Sequence, residues 1–301
     1  MSRKLLSYTA IGLILGSTAI ADVPKVAVDI APVHSLVSRV MEGVGSPKLI
    51  IPAGASPHEY SLRPSEAKSL QDADMVIWMG EDLAPWMENS IDTLSKNAEV
   101  ITLLEESDTK LLDFREGALF EEHDHGDHDD HDDHDDHDDH DKDHDDHDDH
   151  DDHDDHDHDK DHDDHDDHDD HGDHDGHAHG EHDPHAWLST ENAQTWLNLV
   201  AGKLSAADPE NAGVYFANAA AAREEINDLV KEVNSILEPV RGRNFVVFHD
   251  AYQYFETSFD FPAAGAISLG DATDPSAARI AEIQDRVKDE GINCVLSEPQ
   301  F

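Results

Sequence analysis

The stretch Phe245-Val-Val-Phe-His-Asp250 decides the fold. An apolar run of strand length stops abruptly at a histidine and an aspartate. A helical pattern follows over Tyr252–Ser258, and a second apolar run over Ala263–Ile267. The local order is therefore strand, helix, strand. Further on, Pro275–Asp289 reads as a helix and Cys294–Ser297 as a strand. The same alternation runs through the first hundred residues. Strands are predicted over Lys25–Ile30, Lys48–Ile51, Met75–Met79 and Val100–Leu103. Helices are predicted over Val33–Met41, Pro64–Gln71 and Pro85–Leu94, with Pro64 suited to a first turn. Between the two series lie helices over Thr190–Ser205 and Tyr215–Leu237. With its entry from Pro209 the second could span about 40 Å. Strand–helix alternation predicts an α/β fold: two lobes with mostly parallel sheets flanked by helices, joined by one long rigid helix. The expected boundaries are 22–208 for the first lobe, 209–237 for the linking helix and 238–301 for the second lobe.

The segment from Glu121 to Asp183 differs in kind. It is a near-perfect Asp-Asp-His repeat with 35 acidic residues, two lysines and almost nothing apolar. It cannot bury enough surface to offset chain entropy, and it repels itself, so a disordered His/Asp-rich loop inserted in the first lobe is expected. The remaining chain still carries 35 acids against 18 bases, within a formal net charge of -50. Such acidity argues against nucleic acid as a partner and suits a protein that handles cations.

The N-terminus reads as an export signal. Arg3 and Lys4 precede the apolar stretch Leu5–Ile20, and Ala19-Ile-Ala21 forms an A-x-A cleavage site. Asp22 and Lys25 follow too soon for a spanning helix, and no Cys follows that could carry a lipid. The expectation is a soluble, exported protein with residues 1–21 removed near Ala21. The lone Cys294 would then be a free thiol or half of a pair. The chain ends just after a strand, and the expectation is that it is C-terminally truncated.

Of 25 histidines, 21 lie between His123 and His182. Only His34, His58, His185 and His249 lie outside. His58 sits in the turn Pro52-Ala-Gly-Ala-Ser-Pro-His58-Glu-Tyr60 after a strand, and His249 ends a strand. Ligands of open α/β sheets bind at the carboxyl ends of strands. His185, in Asp183-Pro-His185-Ala-Trp187, precedes a helix. Any one of these taken alone is more often a satisfied structural histidine; three at loop–strand boundaries are harder to explain that way. His34, inside a helical pattern, reads as structural. The wide spacing is unlike a zinc finger and points to a site assembled by the fold. Nitrogen-rich ligation suits Zn(II) better than calcium, magnesium or manganese, while Cu(II) and Ni(II) also accept imidazole. Glu59 is a candidate oxygen donor beside His58. In the repeat, His123, His125, His128, His131, His134, His171, His174, His177, His179 and His182 are candidates for several weakly held divalent ions.

Gly54-Ala-Ser-Pro-His58-Glu-Tyr-Ser-Leu-Arg-Pro-Ser65, Asp183-Pro-His185-Ala-Trp-Leu188, Phe248-His-Asp-Ala-Tyr-Gln-Tyr-Phe255 and Ser297-Glu-Pro-Gln-Phe301 resemble the zinc-specific, ZnuA-type members of the cluster A-I solute-binding proteins of ABC importers. The resemblance covers essentially the whole chain after the signal segment. It implies a periplasmic protein that holds one Zn(II) between two lobes on His58, His185 and His249 and delivers it to an inner-membrane ABC permease, working as a monomer and not as an enzyme. A histidine rather than a carboxylate at His249 argues for zinc over manganese. The resemblance also implies an Asp near the site and a cysteine partner for Cys294, both later than Phe301. Two other readings remain open from the residues alone. Three histidines and a water also describe a secreted zinc hydrolase, though no H-E-x-x-H motif or nucleophile elbow is present. A passive zinc buffer would rely mainly on the repeat.

Overall fold

The computed structural model describes residues 23–115, 120, 182–268 and 275–298. The signal segment and its cleavage site, and the repeat with its histidines from His123 to His179, lie outside the described residues.

Strands β1 (Val26–Val28) and β3 (Met75–Trp78) are buried at every position. Unbroken apolar runs of this kind belong to parallel strands covered on both faces. Here they form the middle of a sheet with the order β2-β1-β3-β4, all parallel, where β2 is Lys48–Leu49 and β4 is Glu99–Thr102. Ala27 stands opposite Lys48 on one side and Val76 on the other, and Ile77 opposite Ile101. The connecting helices are α1 (Ala31–Val40), α2 (Pro64–Gln71) and α3 (Pro85–Leu94). Each carries a proline in its first turn, where the missing N–H leaves no helical bond unmade. Helix α1 buries Val33, Val37 and Val40, one face at helical spacing.

A second parallel sheet has the order β6-β5-β7, with β5 (Val246–His249) in the centre, β6 Ala266–Ser268 and β7 Val295–Leu296. Its helices are α6 (Gln253–Phe259) and α7 (Ala277–Asp289). The alternation expected from the sequence is present in both series, with ends displaced by a few residues at most. Cys294, just before β7, is exposed.

Between the sheets in sequence come α4 (Thr190–Ala207) and α5 (Ala212–Leu237). The turn joining them is built on Asp208, which has no exposed surface. Its Oδ2 accepts from Asn211 Nδ2 at 2.7 Å and from the Tyr215 hydroxyl at 2.8 Å. Tyr215, Ala219 and Ala222 bury the first half of α5. Asn218 donates to the carbonyls of Val40 at 3.0 Å and Glu42 at 2.8 Å, satisfying acceptors that α1 leaves open at its end.

Tyr215→Phe deletes one donor from a buried carboxylate without creating a cavity. It should destabilise the protein by about 2 kcal/mol, the usual cost of losing a hydrogen bond to a charged group. Urea unfolding of the variant and parent checks this; equal midpoints and slopes would show that Asp208 is satisfied without Tyr215.

Candidate metal centre

His58 stands on the loop that leaves β2. The N–H of Ala55 donates to the Pro52 carbonyl at 3.1 Å, closing a turn whose third residue, Gly54, has φ 85°. A turn of that kind needs positive φ at this position, which glycine supplies without strain. The loop is then held on both sides of the histidine. Trp86 Nε1 donates to the Pro57 carbonyl at 2.8 Å. The Tyr60 hydroxyl donates to Glu66 Oε1 at 2.9 Å, while Glu66 Oε2 accepts the Arg63 N–H at 2.7 Å and so caps α2.

His185 stands just before α4. Asp183, 2% exposed, accepts on one oxygen both the His185 N–H at 2.9 Å and His185 Nδ1 at 2.6 Å. Donation of Nδ1–H to a carboxylate sets the tautomer that leaves the Nε2 lone pair for a metal. His185 Nε2 is buried and has no hydrogen-bond partner, as a nitrogen waiting for a cation would. With its amide nitrogen turned inward, Gln253 of α6 donates to the other Asp183 oxygen at 3.0 Å.

His249 is the last residue of β5, in register with Ser268, and is 4% exposed. Burial pushes its imidazole pKa down to about 2, and the neighbouring His185 and His58 push in the same direction. It is a neutral base at any physiological pH.

The three rings meet. Centroids are 4.9 Å apart for His185 and His249, 5.4 Å for His58 and His185, and 5.8 Å for His58 and His249. One nitrogen from each lies within 4.8 Å of the others. A tetrahedral zinc with bonds of about 2.0–2.1 Å would bring such nitrogens to roughly 3.3 Å, so a modest inward movement completes the site. Glu59, the neighbour of His58, is exposed and stands outside this group. His34 Nδ1 lies 3.4 Å from Ser38 Oγ within α1, and its Nε2 donates to the Pro47 carbonyl, 3.3 Å away outside the helix, as in a structural residue. His182 pairs with Asp113 at 2.9 Å in an isolated bridge, and Asp183 is buried, so the insert expected to run to Asp183 gives way to folded chain at His182.

Three residues near the site escaped the sequence reading. Asp183 and Glu298 stand in the sequence only as members of the motifs that carry the family resemblance. Glu298 lies with its Oε1 4.0 Å from His249 Nδ1 and with both carboxylate oxygens buried. Together with burial, it raises the pKa of the Tyr252 phenol. Arg115 bridges Asp250 and Glu256 across roughly 140 residues of chain; nothing in a single sequence marks such a pair.

A family profile described as zinc-uptake complex component A, periplasmic, matches residues 26–301. The chain belongs to this ZnuA family. It is 48% identical over 287 residues to the high-affinity zinc uptake system protein ZnuA of Paracoccus denitrificans, covering 94% of this chain and 79% of the relative. It is 43% identical over 286 residues to the protein of the same name from Brucella abortus, covering 95% and 80%. A solved ZnuA structure shares the fold with a TM-score of 0.66 at 19% identity, over 93% of this chain and 84% of that one. ZnuA-family membership agrees with the α/β architecture of two parallel sheets.

The neutral His249 makes a pH prediction. An unfolded histidine protonates near 6.5. Between about pH 6.5 and 2 the unfolded chain takes a proton that folded His249 refuses. Its contribution to stability is therefore full above pH 6.5 and is lost as pH falls. Fully buried Asp29 works in the opposite sense, because burial lifts its carboxyl to about 7 and its contribution fades as pH rises toward that value. Comparing metal-free parent with His249→Gln cancels Asp29. The stability of the parent relative to the variant should hold level from pH 7.5 to about 6.5 and decline from there to pH 5, by denaturant unfolding. A difference independent of pH would mean that folded His249 takes up a proton as readily as the unfolded chain does.

Proposed function

We propose that His58, His185 and His249 hold a single Zn(II), which the protein captures in the periplasm and passes to an inner-membrane ABC permease. The observation that carries this reading is the convergence of three histidines from three separate segments, two of them buried, with ligand nitrogens within 4.8 Å. Zinc is cargo here, not a resident cofactor. ZnuA-family proteins are solute-binding transport proteins, which sets the hydrolase reading aside. The relatives' name, high-affinity zinc uptake system protein, supports the choice of metal. We further propose that lobes 22–208 and 238–301 close on the ion, that the protein acts as a monomer, and that the signal is cut near Ala21. No helix among the described residues is long and apolar enough to cross a membrane.

Replacing any one of His58, His185 or His249 by Ala should weaken zinc binding by at least roughly tenfold, about 1.4 kcal/mol. Competition against a chromophoric chelator measures it. Unchanged affinity in all three variants would sink the assignment and favour a passive buffer.

The repeat is proposed as a separate, weaker reservoir. Deleting Asp124–Gly180 should leave the tight site intact and lower the number of ions bound. Imidazoles with pKa near 6.5 lose metal to protons as pH falls below about 6, so the extra ions should go first on acidification. Equilibrium dialysis at pH 7.5 and 5.5 tests both points; a deletion variant that binds as many ions as the parent contradicts them.

A further inference from the structure

Residues Leu112–Arg115 run between the segment that carries His185 and the segment that carries His249. On the His185 side, the Asp183 N–H donates to the Leu112 carbonyl at 2.8 Å, and Asp113 forms its bridge with His182. The Tyr254 hydroxyl of α6 accepts the Leu112 N–H at 2.9 Å and donates to the Asp183 carbonyl at 2.9 Å. This fixes the carboxylate that orients His185. On the His249 side, the Arg115 guanidinium takes both oxygens of Asp250, the residue after His249, with Nε at 3.2 Å from Oδ2. It also takes both oxygens of Glu256 in α6, at 2.8 and 3.0 Å. Glu256 in turn accepts the Ala263 N–H at 3.0 Å, on the approach to β6. The Phe120 ring covers the guanidinium, its centroid 3.5 Å from Cζ.

The cluster is nearly dry, with side-chain exposures of 15% for Arg115, 8% for Asp250 and 6% for Glu256. In such surroundings a planar five-donor fork serves two carboxylates at once, which an ammonium cannot do. Removing it would leave two buried carboxylates facing each other. Burial opposes the charge on Arg115, yet Glu256 and Asp250 together raise its pKa above the ordinary value. A few residues of covalent chain thus separate the anchor of His185 from the anchor of His249, and these two rings are the closest pair of the three.

We infer that Arg115 is a positioning residue for zinc capture: through Asp250 it fixes His249 against His185, so that these two imidazoles stand assembled before the cation arrives. The inference rests on the three histidines being the zinc site.

The test uses the full chain. Zinc affinity is measured by chelator competition for the parent, Arg115→Lys, Arg115→Ala and Asp250→Asn, with folding checked by circular dichroism at the assay temperature. Arg115→Lys keeps the charge and serves if the alanine variant does not fold. Both Arg115 variants should bind zinc about tenfold to a hundredfold more weakly, the range for losing a group that orients a ligand. The Co(II)-loaded forms should show an altered visible absorption, a readout of ligand geometry that a role in stability alone would not move. Combined with His249→Ala, the Arg115 effect should largely vanish, whereas combined with His58→Ala it should multiply. An Arg115 variant that melts earlier but keeps parental affinity and cobalt spectrum, or that multiplies equally with both histidines, overturns the positioning role. Indifference of zinc affinity to all three histidine substitutions would instead overturn the zinc-site reading beneath it.

Discussion

Burial holds His249 neutral, and neutrality is what lets three imidazoles share so small a volume. Two protonated rings at the 4.9 Å separation of His185 and His249 would repel by about 3 kcal/mol even at an effective dielectric near 20. His249 therefore presents a base, not a cation, with a lone pair available to a Lewis acid. The groups around the three rings lean the same way. Asp183, Asp250, Glu256 and Glu298 are buried or nearly so, against the guanidiniums of Arg115 and of Arg279, which stands on the β6 carbonyls within electrostatic reach of Asp250. A pocket with that balance favours a positive guest.

Each histidine is held by a different device. His58 depends on backbone carbonyls and turns: Gly54 bends the loop, Trp86 grips Pro57, and Tyr60 is tied to the cap of α2. His185 depends on one carboxylate that serves both its amide and its ring. His249 depends on β5, the central strand of its sheet, whose neighbours on both sides fix its direction. The first is a loop, the second a loop locked to a helix start, and the third a strand end. Their give should increase in the reverse order, which places His58 nearest the adjustable end.

Much of this was legible in the sequence because it rests on local patterns. Met75–Trp78 and Val246–His249 are apolar without alternation, and that is how strands buried on both faces read. His58 and His249 were found because strand ends are where such sheets bind ligands. The long helix α5 showed itself through the length of its helical pattern. What was not legible is long-range pairing. Arg115 meets Asp250 and Glu256 across 135 and 141 residues of chain, and Glu298 comes beside His249 through the pairing of β7 with β5. The boundary of the insert was misplaced because His182 and Asp183 match the composition of the repeat while belonging by hydrogen bonding to the fold.

Helix α5 is buried at Tyr215, Ala219 and Ala222 and has no buried residue from Arg223 to Leu237. Its far end is joined to the second sheet by Arg241, which donates to Asn234 Oδ1 at 2.6 Å and to the Asp260 carbonyl at 2.9 Å. In mechanical terms it is a cantilever, clamped at the root by the Asp208 turn and loaded at the tip. Its ties to α1 and α4 run on to Asn227, through Arg39 on Glu225 and Gln194 on Asn227, so the free arm from Asp228 to Leu237 is roughly 15 Å long at 1.5 Å per residue, and each degree of tilt carries the tip through about 0.3 Å. A few degrees of elastic give, with no residue changing its backbone conformation, would span the inward travel the three nitrogens need to grip an ion.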